Sequence, residues 1–274
     1  MGIFTKTRML RVVFACSILA AGHASAEIIP ASALKSSPGV YTAGGYYTTT
    51  LGPNIVTTGG GNAANVGLAS GRNDDGYMLL NLGFNVTFFG NTYSSLYINN
   101  NGNVSFGAGI SAYIPTGPTG ANAPVISPFF GDVDTRDPSS GVTHYNLTSQ
   151  QLIVTWDNVG WFNSHGSPTN SFQLVLRGNG FAVPVGEGSI GFFYQTMGWD
   201  ATDTNTVAAA GFGDALGNSK VIQGSLAPGL NAVVANRYIW FDPNLNVVSN
   251  GVPEPSALAL LALGLFVFAV RRQR

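Results

Sequence analysis

Short apolar segments separated by glycine, proline and asparagine recur over most of this chain, and no other feature of the sequence constrains the fold as strongly. The clearest are residues 84–89, 93–98, 151–156, 171–176, 189–194 and 237–241. In one of them, Phe172, Leu174 and Leu176 alternate with the intervening side chains, as in a strand with one buried face. No long stretch between the two termini shows the apolar period of a helix. The sequence therefore predicts an all-β chain, with about ten short strands in a single β-sandwich-like domain over residues 74–245.

A hairpin is the most specific local prediction in this domain. Asn101 and Gly102 lie between the apolar segment 93–98 and a short return strand at 104–106. Both residue types tolerate the positive φ that a type I′ turn requires, so we expect a two-residue turn of that type. Residues 27–73 precede the domain as a Gly-, Thr- and Asn-rich leader. Its composition leaves two alternatives open, a flexible segment or irregular edge strands.

The first 26 residues have the three parts of a secretory signal peptide. The basic residues at its start are Lys6, Arg8 and Arg11. Residues 12–21 are apolar, and Ala24 and Ala26 are the small residues of a cleavage site, so the exported chain is expected to begin near Glu27. A first transmembrane helix is the alternative, but this apolar run is about half of the roughly 20 residues that a span needs.

The single cysteine, Cys16, lies inside that apolar run. Lipidation of Cys16 is an alternative to simple cleavage, but Phe14 is bulky where a lipoprotein signal has a small residue. After cleavage the exported chain contains no cysteine and hence no disulfide. A packed β core, with or without bound ions, must then stabilise it.

Removal of both termini would change the charge balance. Of the 12 Lys and Arg residues, six lie in the two terminal segments, whereas all 13 acidic residues lie between Glu27 and Glu254. That stretch carries a net charge of −7. Its acidity argues against nucleic acid and anionic surfaces as partners and favours cations or neutral glycans.

The C-terminal segment joins a proline-rich step to an apolar run and a basic end. Its step is Val252, Pro253, Glu254 and Pro255, and its arginines are Arg271, Arg272 and Arg274. Between them, residues 256–270 as a helix would span about 22 Å, short of a hydrocarbon core of about 30 Å. This favours transient lodging in the inner membrane, with the arginines on the cytoplasmic side, over a permanent anchor.

Six blocks of the chain resemble the nidogen-like (NIDO) extracellular domain. The first two are residues 88–107, with the sequence FFGNTYSSLYINNNGNVSFG, and residues 124–146, which contain GDVDTRD. Further blocks at 152–162, 170–176, 191–200 and 208–214 follow in family order. The resemblance implies an extracellular adhesion or matrix module without known catalysis.

The C-terminal segment has a resemblance of its own. The VPEP step, the apolar run and the final RRQR at 252–274 are similar to a PEP-CTERM sorting signal, with residues 246–251 as the linker to the domain. The resemblance implies processing by an exosortase in a Gram-negative bacterium that makes exopolysaccharide. We therefore expect Sec-dependent export and delivery to the cell surface or the extracellular matrix.

The densest acidic cluster, Asp132, Asp134 and Asp137, is a candidate Ca²⁺ site. Alternate aspartates on an extended segment place two carboxylates on one side, and Ca²⁺ takes six to eight oxygen ligands. The EF-hand pattern fails because Arg136 stands where a third ligand belongs and no Glu closes the loop. The alternative is that Asp132 and Asp134 accept hydrogen bonds from turn amides and that Arg136 pairs with a neighbouring carboxylate. The turn at residues 73–76, NDDG, is a second oxygen-rich loop that would have to converge on the first.

Catalysis has little support in the sequence. The exported part has no cysteine and two histidines, His144 and His165, and it carries no phosphate-binding or dinucleotide-binding glycine motif and no zinc spacing. Aromatic residues suggest binding instead. Trp161 and Phe162 stand beside turn residues and are a candidate ligand surface, whereas Trp156 and Trp199 are expected in the core. We therefore expect a non-enzymatic adhesion or matrix protein; a carbohydrate-active hydrolase of the envelope and a lectin-like glycan-binding module are the alternatives.

Overall fold

A computed structural model describes residues 26–36, 51–52, 54–57, 70–113, 118–203 and 207–249. The predicted signal peptide up to Ser25, much of the leader, and the sorting segment 252–274 lie outside these residues. Within them, no helix is both long enough and apolar enough to cross a membrane.

The described residues form two seven-stranded sheets and almost no helix. The strands are β1 (Ala26–Ile29), β2 (Lys35–Ser36), β3 (Asn54–Ile55), β4 (Tyr77–Phe88), β5 (Asn91–Asn99), β6 (Asn103–Ser105), β7 (Val125–Phe130), β8 (Thr143–Leu147), β9 (Gln151–Trp161), β10 (His165–Arg177), β11 (Ile190–Met197), β12 (Ala209–Gly213), β13 (Ser219–Ile222) and β14 (Arg237–Phe241). One short helix, α1 (Leu230–Val234), and two 3₁₀ turns, Ala31–Ala33 and Pro118–Gly120, accompany them. The first sheet has the order β1-β13-β12-β7-β6-β5-β4, and the second has the order β2-β14-β11-β10-β9-β8-β3. The all-β, sandwich-like prediction is confirmed.

The core lies between the two sheets because strand alternation turns one face of each sheet inward. On β10, Phe172, Leu174 and Leu176 enter the main core, as their spacing predicts. Val175, between them, packs on the opposite face of the sheet in a smaller cluster with Phe193. Large aromatic side chains, among them Phe129, Trp156 and Phe172, are fully buried in this core and contribute much of its apolar area.

The predicted hairpin forms between β5 and β6, but its turn is not of type I′. Asn99 pairs with Asn103, so the loop has three residues, 100–102, and only Gly102 has a positive φ, at 75°. A Cβ on Gly102 would lie 1.9 Å from the carbonyl oxygen of Phe129 on β7. Glycine is therefore required here both for the left-handed conformation and for the close approach of β7.

The described parts of the leader add strands at the edges of both sheets. Strand β1 pairs in parallel with β13, and β2 pairs antiparallel with β14. Strand β3 pairs antiparallel with β8. Two of these N-terminal strands, β1 and β2, thus lie against strands from the end of the domain, and the third, β3, lies against a strand from its middle.

Candidate functional site

Two loops at one end of the first sheet bring three carboxylates together. Asp74 and Asp75 lie in the turn that leads into β4, and Asp132 follows β7. An isolated antiparallel bridge between Asp74 and Asp134 joins the two loops. One carboxylate oxygen from each of Asp74, Asp75 and Asp132 lies within 4.8 Å of the others. We call these three residues the acidic centre.

The acidic centre is buried, and part of its hydrogen-bonding capacity is unused. Asp132 is 2% exposed, and neither of its carboxylate oxygens has a hydrogen-bond partner. Oδ1 of Asp74 also lacks a partner, whereas Oδ2 lies 2.8 Å from a guanidinium nitrogen of Arg136. Native proteins rarely leave buried carboxylate oxygens in this state, because desolvation without a partner is costly.

Burial and like charge disfavour the ionised form of two members of the acidic centre, Asp132 and Asp74. Burial, and then repulsion from the neighbouring aspartates, raises the pKa of Asp132 to about 8. The same causes raise the pKa of Asp74 to about 7. The positive charge of Arg136 opposes both shifts without cancelling them. A bound cation would favour the ionised form of both groups.

The structure places the three predicted calcium ligands in different environments. Asp132 belongs to the acidic centre, where the NDDG turn converges on it. Asp134 accepts hydrogen bonds from Arg136 Nε at 2.9 Å and from the backbone N–H of Ser164 at 2.9 Å. Asp137 lies outside the acidic centre, and its exposed carboxylate accepts hydrogen bonds from Ser139, which lower its pKa. The pairing of Arg136 with a neighbouring carboxylate, considered as the alternative above, is present in the structure.

Asn101 positions the acidic centre, a role that its place in a turn motif does not reveal. Its side-chain amide donates to Oδ1 of Asp75 at 2.8 Å and to the carbonyl of Ala112 at 3.1 Å. Its side-chain oxygen accepts from the backbone N–H of Val133 at 2.9 Å. One fully buried side chain thus connects the hairpin turn to both acidic loops.

Arg72 fixes the loop that follows the acidic residues, a role that no sequence motif around it indicates. Its guanidinium donates to the carbonyl oxygens of Thr135 at 2.7 Å, Asp137 at 2.6 Å, Pro138 at 3.1 Å and Ser140 at 2.9 Å. These bonds hold residues 135–140 against the segment that leads into the NDDG turn.

The candidate ligand surface at Trp161 and Phe162 adjoins the acidic centre. The backbone N–H of Phe162 donates to the carbonyl of Asp132 at 2.9 Å, and Trp161 bridges to Val133. The Trp161 ring stacks on His165 with 3.8 Å between the ring centroids, so one of its faces is covered, and both residues are only partly exposed. Trp156 and Trp199 are core residues, as predicted, with 0% and 5% exposure.

A separate cavity of about 550 Å³ opens near the far end of β10. Phe88 and Ile126 of the first sheet line it together with Phe106, which follows β6, and Arg177 lines it from the second sheet. The Arg177 guanidinium is paired with Glu187 and lies over the rings of Phe181 and Trp240. The guanidinium of Arg177 is therefore already paired within the protein.

The fold and the acidic centre together define a class of protein. It is an all-β sandwich module whose loops carry buried carboxylates that lack part of their hydrogen-bond partners. Residues 45–248 match the family model described as NIDO related, so the chain belongs to that family. Residues 251–273 match the PEP-CTERM protein-sorting motif. Both resemblances found in the sequence are confirmed. The chain is an exported protein with a cell-surface or extracellular location, and its sorting motif implies handling by an exosortase.

Similar proteins include animal proteins that are much longer than the shared region. Nidogen of Drosophila melanogaster is 28% identical over 134 residues, covering 39% of this chain and 10% of nidogen. Alpha-tectorin of Mus musculus is 32% identical over 127 residues, covering 37% of this chain and 6% of that protein. Alpha-tectorin of Gallus gallus is 29% identical over 157 residues, covering 47% and 7%. The similarity thus spans a tenth or less of these relatives, and no solved structure gives a significant match.

Proposed function

We propose that this chain is a non-enzymatic adhesion or matrix module that an exosortase delivers to the surface or the exopolysaccharide matrix of a Gram-negative bacterium. The observation that carries the proposal is the succession of two matches, a NIDO-related domain over 45–248 and a sorting motif over 251–273. A domain of an extracellular family is thereby joined to an export and sorting signal in one chain. Extracellular polysaccharide or another surface protein is the proposed partner.

The surroundings of the two histidines of the exported part favour a non-enzymatic role. Nδ1 of His165 lies 2.8 Å from the carbonyl of Phe162, and its ring is stacked on Trp161. His144 lies in β8, where burial lowers its pKa. In the part of the chain that the structure describes, neither ring is hydrogen-bonded to a serine hydroxyl, the contact on which a Ser-His nucleophile depends.

Binding to the producer's own polysaccharide tests this proposal. Protein comprising residues 27–250 is overlaid on polysaccharide from the producing cells, and both retention and chain length are measured. Retention without shortening supports adhesion to glycan. Shortened polysaccharide would instead identify a hydrolase and overturn the non-enzymatic proposal. Neither retention nor shortening would exclude glycan and leave a surface protein as the partner, to be captured by crosslinking on intact cells.

The same overlay tests the proposed ligand surface at Trp161 and Phe162. Phe162→Ala removes a partly exposed ring next to the acidic centre, and we expect retention to weaken by up to about tenfold if that ring stacks on sugar. The matched control is Phe181→Ala, which removes a partly exposed ring beyond the opposite end of β10. Equal losses in both variants would show that this surface has no special part in binding.

A further inference from the structure

We propose that Asp74, Asp75 and Asp132 bind a Ca²⁺ ion between the NDDG turn and the segment that follows β7. The inference concerns a metal site and does not depend on the adhesive role proposed above. It differs from the sequence-based expectation in its ligands, because Asp74 and Asp75 take the places of Asp134 and Asp137.

The spacing of the oxygens fits a shared ion. Ca²⁺ lies 2.3–2.6 Å from its ligands, so two oxygens on one ion are at most about 5 Å apart. The three oxygens of the acidic centre satisfy this limit, lying within 4.8 Å of one another. All three donors are carboxylates and none is a thiolate or an imidazole, which favours a hard cation over zinc.

The unused oxygens of Asp132 are an independent sign of a ligand. This side chain is 98% shielded from solvent, both of its oxygens lack a hydrogen-bond partner, and one of them faces the oxygens of Asp74 and Asp75. Asp134, equally buried, has its oxygens occupied by Arg136 and Ser164. The protein therefore supplies hydrogen-bond partners to the carboxylate of Asp134 and supplies none to the carboxylate of Asp132.

The surrounding residues hold the acidic centre in place without neutralising it. Asn101 orients Asp75 through a hydrogen bond of 2.8 Å, and Arg136 binds one oxygen of Asp74 while the other stays unpartnered. Among the described residues, the three carboxylates of the acidic centre and that of Asp134 all interact electrostatically with the guanidinium of Arg136. A divalent cation would offset most of the remaining negative charge.

Calcium fits this arrangement better than magnesium does. The ligands come from two loops of irregular geometry, which suits the flexible coordination of Ca²⁺, whereas Mg²⁺ demands near-octahedral ligands and sheds water reluctantly. Calcium sites of extracellular modules have dissociation constants of about 10⁻⁴–10⁻³ M, and we expect a value in that range.

Terbium luminescence and thermal unfolding test the site. Protein expressed from the full coding sequence and purified after export is stripped with EDTA and titrated with Tb³⁺, under excitation of tryptophan. Trp161, whose strand bridges to Val133, is placed to sensitise an ion at the acidic centre. We expect saturable luminescence that Ca²⁺ displaces at least tenfold more effectively than Mg²⁺, and an unfolding midpoint that rises with Ca²⁺.

Asp132→Asn is the decisive variant, and Asp137→Asn is its matched control in the same loop. Asp132→Asn removes one carboxylate with little change of shape, so we expect at least a tenfold loss of Ca²⁺ affinity. Because the protein supplies no hydrogen-bond partner to the Asp132 carboxylate, and Asn has nearly the same shape and cannot ionise, the midpoint of Asp132→Asn in EDTA should equal or exceed that of the wild type. Asp137→Asn should retain both the luminescence and the Ca²⁺-dependent rise.

Three results would overturn the proposal: no Ca²⁺-dependent midpoint in the wild type, equal Ca²⁺ responses in the two variants, or equal displacement of Tb³⁺ by Mg²⁺ and Ca²⁺. If Asp132→Asn fails to fold in EDTA, that failure itself contradicts the argument from its unused oxygens. Asp74→Asn then provides a second measurement of Ca²⁺ affinity, with the same tenfold loss expected.

Discussion

Arg136 binds the buried carboxylates of Asp74 and Asp134 beside the acidic centre, and its removal should destabilise the metal-free domain strongly. Its Nη2 lies 2.8 Å from Asp74 and 2.5 Å from Asp134, and its Nε donates to Asp134 at 2.9 Å. In Arg136→Met the aliphatic part of the side chain is largely kept, while Asp134, which is 0% exposed, loses its counter-charge. The change therefore tests electrostatics more than packing.

The size of the effect follows from the burial of the two partners. Breaking a buried ion pair by removing one partner costs about 3–5 kcal/mol. Since the Arg136 side chain is 29% exposed, water screens part of the interaction, and we expect about 3 kcal/mol, the lower end of that range. For a domain of this size, each kcal/mol lowers the melting temperature by about 2–4 °C, which gives a decrease of about 6–12 °C.

Urea and thermal unfolding in EDTA at pH 7.5, followed by tryptophan fluorescence, measure this loss. Arg136→Lys keeps the charge but not the two-pronged contact with Asp134, so its loss should be intermediate. The Asp134→Asn/Arg136→Met double variant should lose less than the sum of the two single variants, because the first change removes the charge that the second leaves unpaired. A loss below about 0.5 kcal/mol in Arg136→Met, or strict additivity in the cycle, would refute the reasoning.

Three further predictions concern the hairpin, the core and a strand histidine. Gly102→Ala should lower the free energy of unfolding by at least about 2 kcal/mol, because alanine would adopt a left-handed φ and its Cβ would lie against Phe129. Gly90 has a similar φ but open space around it, so Gly90→Ala should lower the free energy of unfolding by only about 1 kcal/mol in the same urea titration. Trp156→Phe leaves two backbone carbonyls of the hairpin without their indole donor. Urea unfolding should show that the free energy of unfolding falls by about 1–3 kcal/mol, and an unchanged midpoint would mean that water replaces that donor. Burial lowers the pKa of His144 below its ordinary value of 6.5, so the unfolded chain binds the proton more tightly than the folded chain does. The free energy of unfolding should therefore fall as pH drops below about 6.5, and in a pH series His144→Gln should lack this part of the decrease.

The strands and their faces were predictable because they depend on local pattern. The alternation on β10 depends only on side-chain spacing, and the structure places Phe172, Leu174 and Leu176 in the core accordingly. The hairpin at Asn101 and Gly102 was also predictable, but its turn type was not. The close approach of β7 and the pairing of Asn99 with Asn103 fix a three-residue loop, and no local signal reports either of them.

The acidic centre was only partly predictable, because its geometry depends on contacts between distant residues. Asp74 and Asp134 are 60 positions apart and meet only when β4 and β7 take their places in the first sheet. Spacing alone groups Asp132 with Asp137, yet the hydrogen bonds from Ser139 hold Asp137 in a local turn. Asn101 positions the acidic centre by joining the hairpin turn to the two acidic loops, and neighbouring residues in the sequence do not indicate these contacts.

The pairing of β1 with β13 and of β2 with β14 sets an order of events during export. A chain that crosses the membrane from its N-terminus presents Ala26–Ile29 first, but the partner of this strand, Ser219–Ile222, emerges nearly 200 residues later. Neither sheet can therefore be completed until almost the whole domain has been translocated. The sorting motif begins at residue 251, ten residues after β14 ends at Phe241. Completion of the two sheets thus requires β14, a strand that lies only ten residues before the sorting motif in the chain.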